Sequence, residues 1–161
     1  MGFRRLLLSM ADTRRIAMFA LGQYANAAMP EQLSAFQNAF ADYAISAYEA
    51  RLDKLKGGRI TVTGATMRAA DDFIVNAEII KSNEAENREP IKIAMRVRPT
   101  PDGSLLMTDM QFEGVWLAIS QRADFTAFLQ QHGGDIATLT SNLRSKAQTM
   151  SSANSGARQA G

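Results

Sequence analysis

A single histidine, His132, and no cysteine set narrow limits on the chemistry open to this chain of 161 residues. Without thiols there is no disulfide framework, zinc finger, thiolate nucleophile or thiolate-held iron–sulfur cluster. One histidine excludes a multi-histidine metal centre. His132 precedes Gly133-Gly134, where a helix ends and an imidazolium is favoured by free carbonyls and the helix dipole. No serine or carboxylate close by completes a catalytic pattern with it. Asp71-Asp72 and Glu84, Glu86 and Glu89 are the acidic clusters. Both fall in turns, where carboxylates are ordinarily solvated, and neither has the ligand spacing of a calcium loop. Gly57-Gly58 and Gly133-Gly134 lack the Lys-Ser/Thr that follows a phosphate-binding loop. Asp109, Tyr43 and Tyr48 remain as acid–base candidates if they face inward.

These residues are carried by elements that the hydrophobic period makes readable. Asp12 caps a short helix containing Ile16, Phe19 and Ala20, which Gly22 stops. Pro30 opens the longest helix. Leu33, Phe36, Phe40, Tyr43 and Ala47 recur at 3-4-3-4 spacing, Ala44, Tyr48, Leu52 and Leu55 widen the stripe, and Gly57-Gly58 ends it. The period then drops to two. Ile60 and Val62 mark a first strand, Phe73 to Ile80 a second, Ile91 to Val97 a third and Leu105 to Phe112 a fourth. Residues 82–89 form a charged connection, and Pro99-Thr100-Pro101-Asp102-Gly103 is a tight turn. Helical spacing returns after Gly114, with Val115, Ile119, Phe125, Phe128 and Leu129 in one or two helices. Asp135 caps a last helix bearing Ile136, Leu139, Leu143 and Ala147. The order predicts an α+β domain, helices packed on one face of a curved antiparallel sheet of about four strands. Residues 3–149 form that domain, and 150–161, rich in Ser, Ala and Gly, form a flexible tail.

Eighteen basic against 16 acidic residues give a formal charge of +2. That is far from the basic stripe of a nucleic-acid binder, so no nucleic-acid partner is expected. No apolar run reaches the roughly 18 residues of a membrane span. Arg14-Arg15, the apolar run to Gly22 and Ala25-Asn26-Ala27 imitate a signal peptide, but an amphipathic helix ending at Gly22 describes the segment better. Nine methionines and eight phenylalanines supply bulky, adaptable apolar surface. Helices with wide apolar faces over a curved sheet enclose either a filled core or a cavity, and the pattern does not separate the two.

Ala20-Leu21-Gly22-Gln23-Tyr24, the helix start Met29-Pro30-Glu31-Gln32 and Phe36-x-x-x-Phe40-x-x-Tyr43 resemble the MlaC/toluene-tolerance family of periplasmic lipid carriers. Asp109-Met110-Gln111-Phe112-Glu113-Gly114-Val115, then Gln121-Arg122-x-x-Phe125, Gly134-Asp135 and Leu139 to Leu143, resemble its second half. The likeness spans about residues 3–146 and rests on order and spacing. Trp116 and His132-Gly133-Gly134 depart from the common pattern and look more like HpnM, the hopanoid-associated branch.

The resemblance implies an NTF2-like fold around an apolar pocket, and a carrier that makes and breaks no bond. Its cargo would be phospholipid or hopanoid, with no cofactor and no metal. It would work in the periplasm, its signal peptide removed, between an inner-membrane ABC transporter complex and an outer-membrane lipoprotein complex. On that reading Phe73, Val75, Ile79, Ile93, Met95, Val97, Met110 and Phe112 form the sheet wall, either face of the fourth strand being defensible. Phe19, Phe36, Phe40, Trp116 and Ile119 close it from the helices. The alternatives are an NTF2-like small-molecule enzyme and an interaction module with a filled core.

Overall fold

A computed structural model describes residues 3–53, 58–81 and 89–159. Leu55, Gly57 and the charged connection at 82–88 lie outside them. Helix α1 (Phe3–Met10) was not expected from the pattern. It leads to α2 (Thr13–Leu21), whose start is fixed as predicted: the Asp12 carboxylate accepts from the Arg15 amide at 3.1 Å. Gly22 ends α2 with φ +57°, and its amide reaches back to the Met18 and Phe19 carbonyls. A short 3₁₀ turn (Gly22–Ala27) leads to α3 (Pro30–Asp53). Gln32 Oε1 accepts the Met29 amide at 3.0 Å and secures the start of α3.

The sheet is an antiparallel meander, β1 (Gly58–Ala69), β2 (Asp72–Lys81), β3 (Ile91–Pro99), β4 (Leu105–Phe112) and β5 (Val115–Trp116), in that spatial order. The fifth strand replaces the helical spacing read at Val115. Glu113 and Gly114 both take positive φ, +48° and +85°, the two-residue turn that matches strand twist. Trp116 is thereby placed opposite Gln111, and Val115 opposite Phe112. Helices α4 (Leu117–Gln131) and α5 (Ile136–Gln159) follow. Residues 150–159, expected as a tail, continue α5. They lack an apolar stripe because most are exposed, yet Asn154 donates to the Ser46 carbonyl at 3.3 Å and ties this end of α5 to α3.

Two cores result. The helices bury Leu21, Phe36, Phe40, Phe125, Leu129, Leu139 and Leu143 between them. Phe36 and Phe40 meet Phe125 edge-on at 5.9 and 6.1 Å, a geometry favoured by ring quadrupoles. The helix layer meets the sheet chiefly along β4 and β5, while β1 packs on β2. Register gives the sheet one apolar face. Met67, Phe73, Val97 and Met107 share one cross-strand row, and Ala65, Val75, Met95 and Met110 the next. Val62, Ala77, Ile93 and Phe112 make a third row. An irregularity beside Arg96/Val97 advances β4 by one residue, which lets Met107, Met110 and Phe112 point the same way despite their mixed parity.

Opposite this face, Arg96 holds the buried Asp72 through two hydrogen bonds of 2.8 and 2.6 Å. The pair locks β2 to β3, and the guanidinium lowers the Asp72 pKa to about 2.

Candidate lipid-binding site

A cavity of about 280 Å³ lies where α1, α2, α3, β4 and the first turns of α4 converge. Its apolar wall is Leu7, Ala11, Ile16, Phe40, Ala44, Ala47, Met107, Met110, Leu117 and Ala118, and its polar lining includes Thr13, Tyr43, Tyr48, Arg51, Asp109, Gln121 and Asp124. Each wall follows from local structure. The α1–α2 junction is pinned to β4 by the Asp12 amide donating to the Met107 carbonyl at 3.0 Å, which brings Ala11 beside Met107. The start of α4 is pinned by Asp109, whose Oδ1 accepts the Met110 and Ala118 amides, each at 2.8 Å. Trp116, the residue before α4, makes no side-chain cap, so a carboxylate from β4 takes that role.

Asp109 is buried, and desolvation raises its pKa against the pull of those amides. Burial likewise pushes Tyr48 up to about 12, so its hydroxyl stays protonated. Gln121 donates to the Tyr43 oxygen at 3.4 Å. Asp109 is committed to backbone amides, as a structural hydrogen-bonding residue ahead of the helix. His132 stands away from the cavity at the end of α4, exposed, stacked on Phe128 at 4.0 Å, with Nδ1 2.7 Å from the Phe128 carbonyl.

Of the thirteen residues expected to wall a pocket, Phe40 and Met110 line this cavity. Met95 and Val97 pack behind it on Leu7, Ala11 and Met107. Phe73 and Val75 continue the apolar face, half-buried, and Ile79, Ile93 and Phe112 form a separate cluster with Ala77. Phe36 is fully buried in the helix core instead. Phe19 is 40% exposed under the Arg122 guanidinium, 5.0 Å from its ring, and Ile119 is 56% exposed on the outer face of α4. Trp116 is half-buried in β5. The lining residues missed include four alanines. Ala11, Ala44, Ala47 and Ala118 make room where larger side chains would fill it, and the alanines among the phenylalanines of α3 were the available signal.

The sequence profile of the MlaC protein family matches residues 2–145. This chain belongs to the MlaC family. Membership makes it a lipid-binding carrier and not an enzyme. A phospholipid-binding protein from Ralstonia solanacearum, solved in complex with a phospholipid, superposes with a TM-score of 0.77 at 22% identity. The match covers 90% of this chain and 78% of that one. The MlaC-family chain thus shares its NTF2-like fold, five antiparallel strands and covering helices. No curated protein matches the sequence. Among the described residues, no helix is long and apolar enough to cross a membrane, and no three His, Cys, Asp or Glu side chains gather as a metal site.

Proposed function

We propose that this MlaC-family protein carries phospholipid through the periplasm, its acyl chains held between β4 and the helices, exchanging cargo with an inner-membrane ABC transporter complex and an outer-membrane lipoprotein complex. The observation that carries the reading is the continuity of apolar surface. The cavity touches β4 through Met107 and Met110, and the same sheet face runs on through Met95, Val97, Val75 and Phe73. At about 280 Å³ the enclosed space falls just below the roughly 300–1,000 Å³ of ligand pockets. It takes one stretch of a tail, and the rest lies along the open face. The phospholipid bound to the Ralstonia solanacearum protein of the same fold favours phospholipid over hopanoid.

The energetics suit a carrier. Each buried methylene gains about 0.8 kcal/mol, so a lipid with ~30 of them costs on the order of 20 kcal/mol to release into water. Transfer between membrane and protein, apolar to apolar, avoids that cost, and modest docking energies then set direction. No catalytic group is needed.

The test is uptake of fluorescent-tailed phospholipid from donor vesicles. The wild-type chain is expected to extract it and Met110→Arg to fail with an unchanged circular dichroism spectrum. Retention by a folded Met110→Arg variant would refute the placement of the tails.

A further inference from the structure

From a second cleft beside the cavity, we infer that the MlaC-family chain carries a phosphate-recognition site, filled by the headgroup of the lipid whose tails enter the cavity; this rests on the carrier reading above. The cleft, about 410 Å³, lies between α1, α2 and α3; Leu8 and Ala41 are its apolar lining, and Arg4, Arg14, Gln37, Asn38 and Asp42 bring polar groups to it. Thr13 lines both the cleft and the cavity, so the two adjoin through one residue. An amphiphile whose tail passes through the cavity toward the sheet face reaches the cleft with its polar end.

The chemistry of the cleft selects an anion. Residues 1–29 hold four arginines and one aspartate, a side-chain balance of +3, although the whole chain is only +2. The positive charge is therefore concentrated on α1 and α2, and the remainder of the chain is slightly negative. Within the cleft, Arg4 holds Asp42 at 2.7 Å and neutralises it. Arg14 is exposed, with no carboxylate paired to it among the described residues. Gln37 and Asn38 add amide donors without charge. A guanidinium with flanking amides suits the tetrahedral oxygens of a phosphate, which accept charge-assisted hydrogen bonds.

The test compares two cargoes with identical fluorescent tails, phosphatidylglycerol and diacylglycerol, offered in phosphate-free dodecyl maltoside micelles to the full chain and to Arg14→Gln. Arg14 is exposed and its replacement is expected to leave the melting temperature unchanged. The variant is expected to bind phosphatidylglycerol about tenfold more weakly while diacylglycerol uptake is preserved, the loss of one charge-assisted contact. Raising salt should weaken phosphatidylglycerol binding by the wild type more than by Arg14→Gln. Equal phosphatidylglycerol affinity for both proteins, with diacylglycerol still taken up, overturns the headgroup site and leaves the carrier reading standing. Failure of the wild type to take up either cargo overturns both. Inorganic phosphate titrated alone separates the sources: Arg14-dependent phosphate binding without preference for phosphatidylglycerol assigns the cleft to the free anion and overturns the lipid headgroup.

Discussion

Asp109 on β4 and Ala118 on α4 are joined by a 2.8 Å hydrogen bond from backbone amide to carboxylate, which fixes where the helix layer meets the sheet. The same oxygen accepts the Met110 amide, so one side chain sets both the local course of β4 and the start of α4. Met110, Leu117 and Ala118 line the cavity, and their spacing depends on this clamp.

Asp109→Ala is therefore expected to lower stability by about 2 kcal/mol, since two amides lose a charged acceptor inside the protein. For a domain of this size that is a fall of roughly 4–8 °C in Tm. Differential scanning calorimetry checks it, and an unchanged Tm would show that water replaces the carboxylate without penalty.

Asp72 gives a pH-dependent prediction. Arg96 holds its folded-state pKa at about 2, below the ordinary 3.8, so the pair stabilises the fold above the unfolded value. That contribution is lost as pH falls from about 4 to 2. The shift corresponds to about 2 kcal/mol. Unfolding free energies of wild type and Asp72→Asn from urea titrations should differ by that amount at pH 7 and converge near pH 2. A constant gap across this range would mean that the pair does not titrate as described.

Ala47 tests the role of space. It lines the cavity from α3, where Phe is expected to project into the empty volume. Ala47→Phe should reduce lipid uptake severalfold while changing Tm by only a few degrees, because a void absorbs the ring that a filled core would reject. A large loss of stability with uptake intact would contradict the cavity's position.

Gly22 tests the α2 stop. Its φ of +57° disfavours any side chain, and a Cβ there would come within 3.1 Å of Arg122 Nε, the guanidinium that covers Phe19. Gly22→Ala should cost about 1–2 kcal/mol. Gly64, with no such neighbour within 4 Å, serves as the control.

Much of the fold was legible because period and punctuation agree. Asp12, Gly22, Pro30 and Asp135 mark helix ends through local chemistry, and strict alternation from Ile91 to Val97 fixes β3. The Pro99–Gly103 turn closes as its residues dictate, with the Thr100 amide bonded to the Ser104 carbonyl at 2.8 Å. What was not legible depends on long-range placement. The parity of β4 is set by one irregular step opposite Arg96/Val97, invisible in a run of Leu, Met and Phe. Phe36 and Phe40 share one stripe on α3, yet only Phe40 reaches the cavity, because Phe125 and α5 close over Phe36. Part of the cavity wall is alanine, whose apolar signal is faint. Large side chains advertise a core; small ones leave the room that function needs.

The central claim is that the protein holds a lipid, and native mass spectrometry with organic extraction of the purified protein tests it most directly. The account predicts co-purified phospholipid at about one molecule per chain, displaced in Met110→Arg. Protein free of lipid from several hosts, with no uptake from labelled vesicles, would contradict it and return the apolar face of the sheet to ordinary packing surface.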